Sequence, residues 1–200
     1  MNGLRLITQS QLIRHTASIA LAFGFGSAVL VYSYQVPFWK PWGGVLLMGI
    51  IGGLGVGLTL GMRRLRTALM AIGCAVGFWV GLLIGENVVK TVRISSGETF
   101  LVIPPFSDFF ILGGIMGAAG GLLMGLVTKN LKLIIGFPLA GFIGFGIGYG
   151  ISMHWVLKSG FPDNVLGFVM MGLVGGAAIG ATAGFLHKRN NYWETNRASG

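Results

Sequence analysis

The sequence predicts an all-α integral membrane protein: six transmembrane helices in a glycine-zipper bundle of three approximate helical hairpins, with a short extracytoplasmic β-hairpin. Three observations predict it. Hydrophobic residues make up 54% of the chain and charged residues only 10%, and mean hydropathy is +0.79, a balance outside the range of water-soluble folds. Apolar stretches of the length needed to cross a hydrocarbon core of about 30 Å recur at 16–34, 42–62, 67–85, 109–127, 133–153 and 165–186. Glycine then returns at every fourth position in four of them: Gly49, Gly53, Gly57 and Gly61; Gly73, Gly77, Gly81 and Gly85; Gly113, Gly117, Gly121 and Gly125; Gly172, Gly176, Gly180 and Gly184.

The first span follows Arg5 and Arg14, as the apolar core of a secretory signal would. It ends in Leu30-Val31-Tyr32-Ser33-Tyr34 with no small-x-small cleavage site, so it reads as a retained helix. Ahead of it, residues 1–15 carry Leu4, Ile7, Leu12 and Ile13 beside those arginines, a pattern suited to an amphipathic segment in the membrane plane.

The second and fourth spans hold full ladders, each followed by a short basic turn containing Arg63, Arg64 and Arg66 or Lys129 and Lys132. The third span has its own ladder, and the fifth a partial one in Gly136, Ala140, Gly144 and Gly148, with Pro138 removing one backbone donor. Spans two and three thus read as one hairpin, and four and five as another. The sixth span, ending in His187-Lys188-Arg189, forms a third if it packs beside the first, giving threefold repetition about the membrane normal. Residues 188–200 read as a loose polar tail.

Lipid tails give helices no hydrophobic reason to associate, so contact rests on close packing, and a glycine stripe removes the side chains that hold backbones apart. Close approach also permits Cα–H contacts to facing carbonyls, worth roughly 0.5–1 kcal/mol each. Rungs four apart follow the i±4 ridge, which predicts right-handed crossings near about −40°. A groove for a small molecule or lipid tail along the glycine faces is the sharper alternative to plain packing.

Orientation follows from charge. Arg5, Arg14, Arg63, Arg64, Arg66, Lys129, Lys132, Lys188, Arg189 and Arg197 fall on one side of a six-span arrangement, and Lys40, Lys90, Arg93 and Lys158 on the other. Basic residues stay on the cytoplasmic side of short loops, which places both termini there. The net charge of +9 is therefore mostly a topology signal, with attraction to anionic headgroups second. Nucleic acid is not an expected partner, since a basic soluble surface with stacking aromatics is missing from the pattern.

The outer segment 87–107 places Val88, Val89, Val92, Ile94, Phe100, Val102 and Ile103 around Ser95-Ser96-Gly97-Glu98, which predicts the β-hairpin. Aromatic residues gather on the same side, among them Tyr32, Trp39, Trp42, Phe106, Phe109, Phe110 and Trp155, as interfacial anchors or as the wall of an outward-facing vestibule.

Chemistry-bearing residues are sparse. Cys74 stands alone, which excludes an internal disulfide or a cysteine metal cluster and suits a small packing residue. Glu86, Asp108 and Asp163 all lie at outer span ends; Asp108 and Asp163 sit where helix N-termini favour acids, and a cation-attracting ring at an outer mouth is the weaker reading of the three. His15, His154 and His187 lie at span ends, with His154 the weak candidate for holding a cofactor. Rotary-motor proteolipids need a mid-membrane carboxylate, which the spans lack, and rhomboid proteases need a Gly-x-Ser nucleophile with a histidine facing it inside the bundle; Ser27 stands in Gly24-Phe25-Gly26-Ser27-Ala28, which does not match, and the three histidines lie at helix ends, so neither family is adopted. The vestibule reading resembles, in helix number alone, the vitamin-capturing subunits of energy-coupling transporters, which dock through small residues on their first helix. Here that helix has Ser18, Ala22 and Gly26, and also Ala20, Gly24 and Ala28, a spacing that identifies no family.

The expected function is a non-enzymatic scaffold or a subunit of a larger membrane assembly, in contact with the bilayer and with membrane proteins or copies of itself. The alternative is a transport component for a small molecule or lipid, and an intramembrane enzyme ranks third.

Overall fold

The computed structural model describes residues 2–33, 42–96, 106–159 and 165–198, with side chains over 10–30, 43–91, 106–154 and 165–186. It contains six helices: α1 (Asn2–Ser33), α2 (Trp42–Thr59), α3 (Arg64–Ser96), α4 (Phe106–Thr128), α5 (Leu131–Ser159) and α6 (Val165–Ala198). Five are long and apolar enough to cross a membrane; the described apolar part of α2, Gly43–Thr59, is shorter. The chain thus has the make-up of a multipass membrane protein.

Each helix packs against the next in the chain, and α6 packs back onto α1, so the six form a closed ring. Outward faces are apolar and exposed, as at Leu21, Leu58, Leu69, Ile72, Leu126, Leu139 and Phe185. That arrangement suits a lipid solvent, where exposed apolar side chains carry no penalty.

Several expected boundaries move. Residues 87–96 continue α3 as helix instead of starting a β-hairpin, and 97–105 lie outside the described residues. The β-branched residues there have weak helix propensity, yet α3 is already nucleated, and extension adds one hydrogen bond per residue fixed. Side chains reinforce it: Asn87 Nδ2 donates to Leu83 O at 2.8 Å and Thr91 Oγ1 to Asn87 O at 2.8 Å. Residues 2–15 run straight into the first span as one helix, and residues 188–198 extend α6.

The two turns following α2 and α4 are built differently. Gly61 takes φ +63° just past α2, with Met62 N–H donating to Gly57 O at 3.0 Å and Gly61 N–H to Leu58 O at 3.0 Å, the paired bonds of a Schellman cap. Thr67 Oγ1 then donates to Met62 O at 3.2 Å and to Arg63 O at 3.3 Å. After α4 the left-handed position is taken by Lys129 at φ 56°. Asn130 caps α5, its Oδ1 accepting from Lys132 N–H at 3.0 Å.

Candidate functional site

The glycines show which surfaces are already occupied. A Cβ at Gly49 would lie 2.5 Å from Ala75 Cα, at Gly53 2.6 Å from Met70 O, and at Gly57 2.9 Å from Thr67 Cγ2, all on α3. On α4, Gly113, Gly117, Gly121 and Gly125 lie against Phe145, Gly141, Phe137 and Ile134 of α5. On α6, Gly172, Gly176, Gly180 and Gly184 lie against Phe23, Ala20, Thr16 and Leu12 of α1. The glycines of α3 face α4, where Gly77, Gly81 and Gly85 meet Gly120, Met116 and Leu112. The partial ladder of α5 faces α6, where Gly136, Gly144 and Gly148 meet Leu186, Ala178 and Met171, while Gly141, Gly146 and Gly150 face α4. Each helix from α2 to α6 therefore directs its four-residue ladder at the following helix of the ring.

Two ladder positions differ from the rest. Gly61 has nothing within 4 Å of an added Cβ, so it closes α2 instead of packing a seam, because its left-handed backbone already lies outside the helix. At Gly73 the nearest atom to an added Cβ is Leu123 Cβ at 3.6 Å, an ordinary contact.

A second glycine set, absent from the sequence reading, serves the bundle axis. Phe23 of α1, Phe78 of α3 and Phe145 of α5 are fully buried and meet one another, with ring centroids 5.8 Å (Phe23–Phe78), 5.2 Å (Phe23–Phe145) and 4.9 Å (Phe78–Phe145) apart. The last two pairs are edge-on, the geometry the ring quadrupole favours. Each ring is seated on a glycine of the following helix: Phe23 on Gly52, Phe78 on Gly120 and Phe145 on Gly175. The signal was present in the doublets Gly52-Gly53, Gly120-Gly121 and Gly175-Gly176, in which one member serves the seam and its neighbour serves the ring. Around this cluster, Met48, Val56, Met70, Cys74, Met124, Phe137, Met171 and Ile179 complete an apolar axis.

Polar groups lie toward the ends. Ser27 Oγ donates to Met48 Sδ at 3.0 Å in the interior, and buried Ser152 Oγ has no hydrogen-bond partner among the described residues. Of the three acids at span ends, Asp108 is buried, Glu86 is half-buried, and Asp163 lies outside the described residues. His154 is exposed and, with Phe106, Ile151 and Met170, lines an apolar cleft of about 380 Å³ where α4, α5 and α6 meet. At the opposite end, Gln11, Arg14, His15, Ser18, Leu58 and Thr59 line a more polar cleft of about 290 Å³ between α1 and α2. Among the described residues no three His, Cys, Asp or Glu side chains are grouped to hold a metal ion.

Both small-residue stripes of α1 are occupied as well. Gly24 and Ala20 lie against α6, while Gly26 and Ala22 lie against α2.

No family model, curated protein or solved structure matches the chain.

Proposed function

We propose that the chain is a non-enzymatic multipass membrane protein that acts as a tightly packed scaffold or as a subunit of a larger membrane assembly. One observation carries this reading: the glycine stripes are taken up between helices of the same chain, around a ring that α6 closes onto α1, and aromatic rings fill its centre. A bundle so built holds its shape without partners, and a partner would meet its apolar exterior or its end segments instead of its glycine seams. The three pairs α2/α3, α4/α5 and α6/α1 then act as three related hairpins, with both termini on the basic, cytoplasmic side.

The test is extraction from native membranes after brief crosslinking, followed by mass measurement and identification of what accompanies the chain. The scaffold reading expects fixed protein partners in defined stoichiometry. A lone chain that retains a small polar molecule inside it would overturn that reading.

A second reading, a transport component with an outward-facing pocket, draws on the cleft beside His154 and on the buried hydroxyl of Ser152, two residues earlier in α5, which has no hydrogen-bond partner among the described residues. It expects a small apolar ligand to raise thermal stability, and Met170→Trp, which fills the cleft, to abolish that gain.

A further inference from the structure

The exposed face of α1 beside α2 changes character along its length. Gln11, Arg14 and Ser18 are exposed at spacings that share one helix face, and the same stripe continues as Leu21 and Phe25, each 65% exposed. On α2, Thr59 and the 70% exposed Leu58 stand opposite the polar part, and exposed Leu54 lies one turn deeper. A polar cleft between α1 and α2 therefore sits next to exposed hydrocarbon on the outer faces of the same two helices, the profile of an amphiphile with a headgroup and a tail.

The charge at the mouth selects the headgroup. Arg14 is exposed, no carboxylate is among the described residues that line the cleft, and Arg63, Arg64 and Arg66 follow α2 in the sequence. His15 Nδ1 is held 2.7 Å from Gln11 O, which fixes the imidazole at the cleft wall. The negative end of α2 is muted there, because its Gly57 and Leu58 carbonyls are consumed by the cap. A guanidinium presents planar paired donors that match phosphate oxygens, and the Ser18 hydroxyl and Gln11 amide add neutral donors.

We infer that the α1/α2 groove binds one anionic phospholipid, its phosphate held by Arg14, Gln11 and Ser18 and an acyl chain lying along Leu21, Phe25 and Leu54. The lipid source, as opposed to free phosphate, follows from the exposed apolar stripe of Leu21 and Phe25 that continues along α1 from Arg14 and Ser18.

The test uses the full chain in mild detergent and reads retained lipid by native mass spectrometry after exposure to phosphatidylglycerol in phosphatidylcholine carrier. The wild type retains one phosphatidylglycerol in preference to carrier. Arg14→Gln weakens retention about fivefold, matching the roughly 1 kcal/mol that one basic residue contributes at an anionic surface. Gln11→Leu, which keeps the charge but closes the mouth, also loses retention, so the result does not rest on Arg14 alone; helicity of each variant is measured alongside. Lys129→Gln removes the same charge from another hairpin and leaves retention unchanged. Equal loss in Lys129→Gln, unchanged retention in both groove variants, or displacement of the lipid by inorganic phosphate would each overturn the assignment. None of these variants touches a glycine seam, so failure here is separate from failure of the scaffold reading.

Discussion

Gly61 and Gly125 occupy the same place in the two ladders of α2 and α4, yet they do different physical work. Gly125 is a seam residue, where an added Cβ would lie 2.7 Å from Ile134 Cα. Gly61 faces open space in the left-handed region and ends its helix. The α4 helix runs on to Thr128 and places Lys129 in the corresponding turn conformation. Residue spacing alone thus specifies a stripe of glycine, while the backbone decides whether the last member packs a neighbour or turns the chain.

The comparison breaks most forcefully at the middle rungs. Gly117→Leu drives a side chain into the Gly141 backbone, which has no rotamer to move aside. The expected result is loss of a monodisperse bundle on size-exclusion chromatography, a penalty above about 3 kcal/mol for overpacking against main chain. Gly53→Leu should behave alike, since Met70 O and Ala71 Cα block it.

Asparagine separates the two ladder ends. It tolerates the left-handed region, so Gly61→Asn should change stability by less than about 0.5 kcal/mol, whereas Gly61→Ala should cost about 1 kcal/mol. Gly125→Asn should instead lower the thermal midpoint in detergent well beyond Gly61→Asn, because strain at Gly125 is steric. Equal midpoints for the two asparagine variants would show that the ladder ends do the same job after all.

The turn between α4 and α5 should show a smaller effect. Asn130→Ala removes the cap on Lys132 N–H and should cost about 1 kcal/mol, seen as faster amide exchange in the first turn of α5. Smallest of all is Gly73→Ala, where an added methyl meets Leu123 at ordinary contact distance. Its thermal midpoint should stay within error of wild type, and a drop as large as that of Gly77→Ala would contradict the seam geometry.

Much of this architecture was legible in the sequence because lipid imposes strong constraints. Apolar length marked the helices, and four-residue glycine spacing marked faces that admit close approach, as Gly117 against Gly141 illustrates. Three features escaped for identifiable reasons. The helical state of residues 87–96 depended on cooperative extension of α3, which overrode the strand preference of Val88, Val89 and Val92. The ring seats Gly52, Gly120 and Gly175 were hidden beside their ladder neighbours, since single-face counting ignores the second glycine of each doublet. The two end clefts combine residues from different helices, and local spacing holds no information about which helices become neighbours.

The central claim is that the glycine stripes are consumed within one chain by a ring closed between α6 and α1. A cysteine pair tests it most directly: Leu12→Cys with Gly184→Cys, in a chain whose buried Cys74 is replaced by alanine. An added Cβ at Gly184 would lie 3.4 Å from Leu12 Cα, within reach of a disulfide. Mild oxidation in membranes should give an intrachain crosslink that migrates as a compact monomer on non-reducing gels. A crosslinked dimer, or no crosslink at all, would contradict the closed ring.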